Sequence, residues 1–341
     1  NCSPFLLNAT IKYHLNKFPE SVVVQELKEN LYMDDLLSGC DETEEATEMY
    51  SGAKEILKEA GMELTKWRSN KKEIADKTES GNDQSNATKV LGICWSETED
   101  CFRFEGLEIP SDVLLTKRLI LSMLARIFDP LGFITPFTIT GKILFQKLWN
   151  MGIDWDDEVP SEVAENFKEW IEGLDKLKQI QIPRKYFQQE TWTCVKNQLE
   201  LHVFADAAEE SYGAVVYIVA VAESGERETS FAVSRARVSP LKKVTVPRLE
   251  LLACMLAART LSFVKDALKI PDTTYYCWTD SKVALQWIKN DPHRWKQFVS
   301  NRVQEIHNLT DPSAWRHCPG KDNPADILTR MISANKMMEK Q

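Results

Sequence analysis

From residue 199 onward the sequence changes character, and this change constrains the fold more than any other feature. Three runs with strand character follow one another, 199–205, 213–222 and 230–234, separated by turn-forming or charged residues. A long helical run, 247–269, comes next. A short strand at 275–278 precedes helical runs at 281–289 and 295–309, a strand near 314–317 and a last helix from Asn323. Strands interleaved with helices place this half in the α/β class.

The chain has 341 residues, 43% hydrophobic and 27% charged, enough for about two domains with substantial cores. No run approaches the roughly 18 uninterrupted apolar residues of a membrane span, and the start has no basic segment feeding an apolar one. The first residue is Asn1 rather than Met, inside what resembles a structured motif, so a fragment of a longer protein is expected. Cys2, Cys40, Cys94, Cys101, Cys194, Cys254, Cys277 and Cys318 form no C-x-x-C pair, which argues against a zinc site or redox motif and for buried thiols in a reducing compartment. The sequons at Asn8, Asn86 and Asn308 are accordingly discounted. The net charge of -9 is unevenly spread: residues 234–330 carry 16 Lys+Arg against 9 Asp+Glu, a local +7 that leaves -16 elsewhere. The basic half is the candidate phosphate-facing surface.

In the first half, residues 21–25 have strand character, and the run 31–37 places apolar residues around Asp34 and Asp35 as in a hairpin that turns at the acids. Ala46, Met49, Ala53, Ile56, Leu57 and Ala60 recur near helical period, with Gly61 where a C-cap belongs, so a helix packed on the hairpin is expected. Residues 79–87 are polar and turn-rich, and 90–95 with 101–104 suggest a second strand pair. Helical patterns at 117–128, 139–149 and 161–178 suggest a connecting subdomain, its first helix ended by Asp129-Pro130 because the residue before proline avoids helix.

Four acids sit in informative contexts: Asp206 ending a strand, Glu250 in the long helix, Asp280 after the fourth strand and Asp326 opening the last helix. If the strands align, they converge at one sheet edge, where hard divalent ions prefer carboxylate oxygen. The words around them, Phe204-Ala205-Asp206-Ala207-Ala208, Pro247-Arg248-Leu249-Glu250-Leu251, Trp278-Thr279-Asp280-Ser281 and Gly320-Lys321-Asp322-Asn323-Pro324-Ala325-Asp326, resemble the four acid-bearing motifs of the ribonuclease H family in order and approximate spacing. The resemblance covers residues 199–330. It implies a mixed five-stranded sheet flanked by helices, two Mg²⁺ (or Mn²⁺) ions held by Asp206, Glu250, Asp280 and Asp326, and hydrolysis of RNA in RNA/DNA hybrids. Members of that family carry a mobile histidine before the last acid; His317 fills that part, or else belongs to the preceding strand. Ser211, Thr279, Ser281, Lys282, Gln286, Arg294, Trp295, Lys296 and Arg302 combine donors, charge and aromatics suited to holding a hybrid through phosphates and 2′-hydroxyls, although Trp287 and Trp295 could equally pack between helices.

Tyr32-Met33-Asp34-Asp35 resembles the Y-x-D-D signature of reverse transcriptases, Asn1-Cys2-Ser3-Pro4-Phe5 the segment upstream of that hairpin, and Leu91-Gly92-Ile93-Cys94-Trp95 the following strand that grips the primer. The further upstream Asp and the nucleotide-holding fingers of that family lie outside this chain, so Asp34 and Asp35 are expected to act only in a full-length polymerase. Residues 116–149, with Ser122-Met123-Leu124-Ala125-Arg126-Ile127-Phe128-Asp129-Pro130-Leu131-Gly132-Phe133, resemble the linker of BEL/Pao long-terminal-repeat retrotransposons. That resemblance implies a Pol polyprotein fragment of the α/β (α+β) class: a partial polymerase palm at 1–110, a helical thumb or connection at 111–198, a ribonuclease H-like domain at 199–332 and a tail at 333–341.

The implied partners are an RNA/DNA hybrid and the remainder of the polyprotein, without membrane or small-molecule cofactor, in a cytoplasmic virus-like particle. The competing expectation is a catalytically inert or co-opted nucleic-acid-binding remnant. An aspartic peptidase is disfavoured, because no Asp-Thr-Gly or Asp-Ser-Gly triplet occurs.

Overall fold

The computed structural model describes residues 2–75, 88–106, 114–187, 199–222 and 224–338. The turn-rich 79–87, the sequon at Asn86, Cys194 and the expected borders at 110 and 198 lie outside them. The chain divides into two compact units, Asn1–Phe102 and Arg103–Gln341.

The first unit opens with helices α1 (Ser3–Leu15) and α2 (Val22–Asn30), so the expected strand at 21–25 is instead the start of a helix. Its three valines favour strand locally, but tertiary burial overrides that preference. Val24 and Leu27, three residues apart on one helical face, are buried in the cluster that also holds Met49, Ala53 and Leu57. Ser21 is extended, and its carbonyl accepts the first N–H groups of the helix, from Val24 at 3.1 Å and Gln25 at 3.2 Å.

The acidic hairpin forms as expected, from β1 (Leu31–Tyr32) and β2 (Asp35–Leu36) with Tyr32 opposite Asp35. Its turn is Met33-Asp34, with Met33 at φ 54°. The helix α3 (Thr43–Glu59) packs against it, Leu31 and Leu36 lying on the same cluster as Leu57. At its end Gly61, at φ 70°, donates to Lys58 O and Met62 donates to Leu57 O, the paired bonds that satisfy the last carbonyls of a helix. A single turn, α4 (Lys72–Ala75), follows.

Residues 90–95 are not one strand. They divide into the end of β3 (Thr88–Val90) and the start of β4 (Ile93–Ser96), which pair antiparallel through a two-residue turn, with β5 (Cys101–Arg103) beside β4. Leu91 and Gly92 both have positive φ, 47° and 87°, the pairing that matches the twist of a tight hairpin.

In the second unit, α5 (Lys117–Arg126), α6 (Thr135–Asn150) and α7 (Ser161–Leu177) form a helical layer, followed by the short β6 (Gln181–Pro183). Thr116 caps α5 by accepting from Leu119 N, and the helix stops before Asp129-Pro130 as the proline requires. Phe137, Phe167, Trp170, Leu174 and Leu177 are buried together, and Trp170 stacks on Phe137 at 5.1 Å while donating its indole N–H to the Phe137 carbonyl.

The sheet is built from β7 (Leu199–Ala207), β8 (Ser211–Val221), β9 (Arg227–Val238), β10 (Thr274–Thr279) and β11 (Trp315–His317), in spatial order β11-β10-β7-β8-β9. The meander β7-β8-β9 is antiparallel, whereas β10 runs parallel to both β7 and β11. One large core joins the sheet residues Leu201, Val203, Ala214 and Val216 to Leu249, Leu252, Ala253 and Leu256 of α8 (Val246–Ala267), then to Ile288 of α9 (Lys282–Ile288) and Val303 of α10 (Gln297–Leu309).

The β9 side of the sheet is covered by the loop before α6. Ser234 donates its N–H to Leu131 O at 2.9 Å and its hydroxyl to Gly132 O at 2.6 Å. Gly132 is at φ 79°, and a β-carbon there would collide with the Ser234 carbonyl oxygen, so this close approach requires glycine. Asp129 holds the loop by accepting N–H bonds from Phe133 at 2.9 Å and Ile134 at 2.8 Å.

The last expected helix is a 3₁₀ stretch, Pro324–Leu328. Tertiary bonds tie the residues on either side of it: Ser211 donates its hydroxyl to Thr329 O, and Asn323 donates its side-chain amide to Ala205 O. A true helix, α11 (Ala334–Met338), comes later, and Ile332, Ala334 and Met337 bury themselves in the helical-layer core. Cys94, Cys101, Cys254, Cys277 and Cys318 are buried as expected, but Cys2 and Cys40 are exposed.

Candidate metal centre

Parallel pairing of β7 and β10 decides where the acids meet. Ala205 is in register with Thr279, so Asp206 and Asp280 leave adjacent strands at the same end. Glu250 reaches them from α8, which packs across β7 and β8 and lacks an acid in its first turn. One ligand atom each from Asp206, Glu250 and Asp280 lies within 4.8 Å of the others. Three separate chain segments thus deliver three carboxyl groups to one spot.

The electrostatics follow from this crowding. Burial, opposed by the Thr329 hydrogen bond and reinforced by the Asp280 and Asp326 charges, pushes the Asp206 carboxyl up to about 6. Burial and the charges of Asp206 and Asp280 push Glu250 up to about 9. Asp280 is raised as well, by burial first and by Asp326, with His317 pulling the other way. Glu250 Oε2 and Asp280 Oδ1 are buried without a hydrogen-bond partner. Buried carboxylate oxygens in that condition are costly unless a cation or proton meets them. The donor set, all hard oxygen, fits a divalent ion of the Mg²⁺ or Mn²⁺ type.

Asp326 lies near enough to raise its neighbours but is not within the close triad. Its carboxylate accepts from Arg330 Nε at 2.8 Å and pairs with Arg330 Nη2 at 2.7 Å, four residues on. His317 is the last residue of β11, opposite Thr279, and is exposed beside Asp280. It therefore sits at the strand end rather than in a separate loop.

The residues considered for nucleic acid divide into two groups. Lys282, Gln286, Arg294 and Lys296 are exposed. Ser211 and Thr279 are fully buried, the first donating to Thr329 O and the second accepting from Ser281 N, which corrects their expected place on a binding surface. Ser281 caps α9 by accepting from Ala284 N. Arg302 folds over Phe298 at 3.6 Å and donates to its carbonyl. Trp295 donates to Trp287 O and meets that ring edge-on at 6.5 Å, so this pair packs between helices.

Asp34 and Asp35 are both exposed on their hairpin, and among the described residues no third His, Cys, Asp or Glu joins them in a group that could hold an ion. Among the described residues, no helix is long and apolar enough to cross a membrane.

Thr329, Asn323 and Arg330 were not singled out from sequence, yet each touches the centre or its supports. Thr329 Oγ1 lies 2.5 Å from Asp206 Oδ2, Asn323 bonds Ala205 O, and Arg330 holds Asp326. The available signal was two polar residues, Thr329 and Arg330, three and four places beyond Asp326, where a helical turn brings them back toward the acid.

The comparison with curated proteins returned no match. Among solved structures, the chain is similar to the N-terminal ribonuclease H domain of a Mycobacterium tuberculosis protein, at 17% identity and a TM-score of 0.27, covering 42% of this chain and 95% of that one. It is also similar to a compost-derived ribonuclease H1, LC11-RNase H1, in complex with an RNA/DNA hybrid, at 15% identity and a TM-score of 0.27, covering 41% and 99%. A third is the foamy viral protease-reverse transcriptase in complex with double-stranded DNA, at 14% identity and a TM-score of 0.23; 97% of this chain is covered, and it spans 61% of that protein's length. Residues 116–281, which include the helical layer and Asp206, Glu250 and Asp280, match the family described as the Pao retrotransposon-like RNaseH-like domain.

Proposed function

We propose that this chain is the ribonuclease H-type endonuclease part of a retroelement Pol protein, hydrolysing the RNA strand of RNA/DNA hybrids at Asp206, Glu250 and Asp280. The observation that carries this reading is the convergence of those three carboxylates within 4.8 Å, two of them with buried oxygens lacking any partner. Asp206, Glu250 and Asp280 would hold two Mg²⁺ or Mn²⁺ ions, with Asp326 completing the set. Such ions, when bound, activate a water and offset charge on the leaving oxygen of a phosphodiester.

The chain's own groups do the rest. Glu250, pushed up to about 9, gives up its proton as cations enter. His317, exposed beside Asp280, is placed to pass a proton between the centre and solvent. Lys282, Arg294 and Lys296 supply positive charge for phosphates, which position a duplex without reading its bases. Asp34 and Asp35 belong, on this reading, to the polymerase motif of the full-length protein, and the setting is an intracellular retroelement particle.

The test is cleavage of a labelled RNA/DNA hybrid by the full chain with Mg²⁺ or Mn²⁺, alongside Asp206→Asn. Cleavage by the wild type that falls at least ~100-fold in the variant is expected, since a ligand carboxylate is lost. Hybrid binding without cleavage by the folded wild type overturns the reading in favour of an inert binding remnant.

A further inference from the structure

The Asp206 carboxylate has a neighbour that the four-acid pattern does not contain. Thr329 is 5% exposed, and its hydroxyl lies 2.5 Å from Asp206 Oδ2 and 3.0 Å from the Asp326 carbonyl. A hydroxyl has one proton to give, and the shorter, charged acceptor takes it. Occupying one oxygen of Asp206 stops the carboxylate from turning about its Cβ–Cγ bond, so the direction of the other oxygen is set.

Thr329 is itself held from two sides. Ser211, fully buried at the start of β8, donates to its carbonyl at 3.2 Å. Three residues on, Ile332 enters the helical-layer core, followed by Ala334 and Met337. The segment 329–337 thus connects the acid cluster to the packing of α5–α7, and the position of the hydroxyl depends on both.

We infer that Thr329 is a positioning residue for the metal centre: its hydroxyl orients Asp206 for cation binding and couples that orientation to the helical layer. The inference rests on the proposed metal-dependent function. Groups that orient a ligand in this way are worth about 10- to 100-fold in metal affinity.

The experiment measures Mn²⁺ binding to the full chain by calorimetry, with thermal melting in EDTA as the check on folding. Thr329→Val keeps the volume and removes the hydroxyl, whereas Thr329→Ser keeps the hydroxyl and removes the methyl. Val should weaken Mn²⁺ binding at least ~10-fold, and Ser should retain affinity to within about threefold of wild type. If Val melts below the assay temperature, Thr329→Ala supplies the same comparison. Wild-type affinity in a folded Val or Ala variant overturns the inference, as does a Ser variant as weak as Val. The nuclease reading fails separately: a wild type that binds no Mn²⁺ overturns both, whereas binding abolished by Asp206→Asn but unchanged by Thr329→Val overturns only the role of Thr329.

Discussion

Replacing Glu250 by Gln should stabilise the metal-free protein, and by an amount that grows with pH. Glu250 titrates near 4.5 when unfolded and is pushed up to about 9 in the fold by burial and by Asp206 and Asp280. Between those values the folded state binds the extra proton, so stability is fully present below the unfolded value and is lost as pH climbs toward the folded one. At about pH 7 the deficit amounts to 2.303RT across some two and a half pH units, about 3 kcal/mol. Gln is neutral in both states and carries no such term. Any fixed cost of the amide is the same at every pH, so the quantity to read is the change in the mutant-minus-wild-type difference. Urea unfolding in EDTA at about pH 4 and pH 7, followed by amide hydrogen exchange in α8, isolates the second unit. The difference should rise by about 3 kcal/mol from the lower to the higher pH. Saturating Mg²⁺ should then reverse the order, because the cation stabilises only the chain that retains the carboxylate. A pH-independent difference would refute the claim that crowding at this site keeps Glu250 protonated.

Gly132→Ala should cost about 3 kcal/mol: roughly 1 for a left-handed backbone with a β-carbon, and about 1 for each Ser234 bond displaced from Leu131 and Gly132. A loss below about 1 kcal/mol in urea unfolding would show that the loop can move away from β9 freely. Among the described cysteines, Cys2 and Cys40 should be alkylated in the native chain and the five buried ones only on unfolding. Peptide mapping after timed labelling decides this, and early modification of Cys254 or Cys277 would contradict the packing of α8 on β10.

Much of the second unit was legible from sequence because its signals are local. The apolar and β-branched runs beginning at residue 199, bounded by turn-forming or charged residues, mark all five strands, and the long apolar helix places Glu250 one turn inside its start. The errors occurred where tertiary contacts outweigh local preference. Three consecutive valines at 22–24 favour strand, yet burying Val24 beside Leu27 makes them helical. Leu91-Gly92 looks like strand interior until both residues are seen with positive φ. Asn323-Pro324 carries helix-start chemistry, but bonds to Ala205 and from Ser211 hold the following turn as 3₁₀.

The sequence by itself determined which acids are available, the order of strands and helices that carry them, and the family resemblance of the words around them. It could not determine that three acids close to within 4.8 Å while Asp326 turns to Arg330, because that depends on the parallel register of β7 with β10 and on the path after Asp326. Nor could it separate Ser211 and Thr279, buried and internally bonded, from Lys282, Arg294 and Lys296, which face solvent. Residue type sets what a side chain can bond to. Only the packing of segments distant in the chain sets what it meets, since Asp206 and Thr329, 123 positions apart, leave no local pattern for a hydrogen bond that exists only once the sheet has formed.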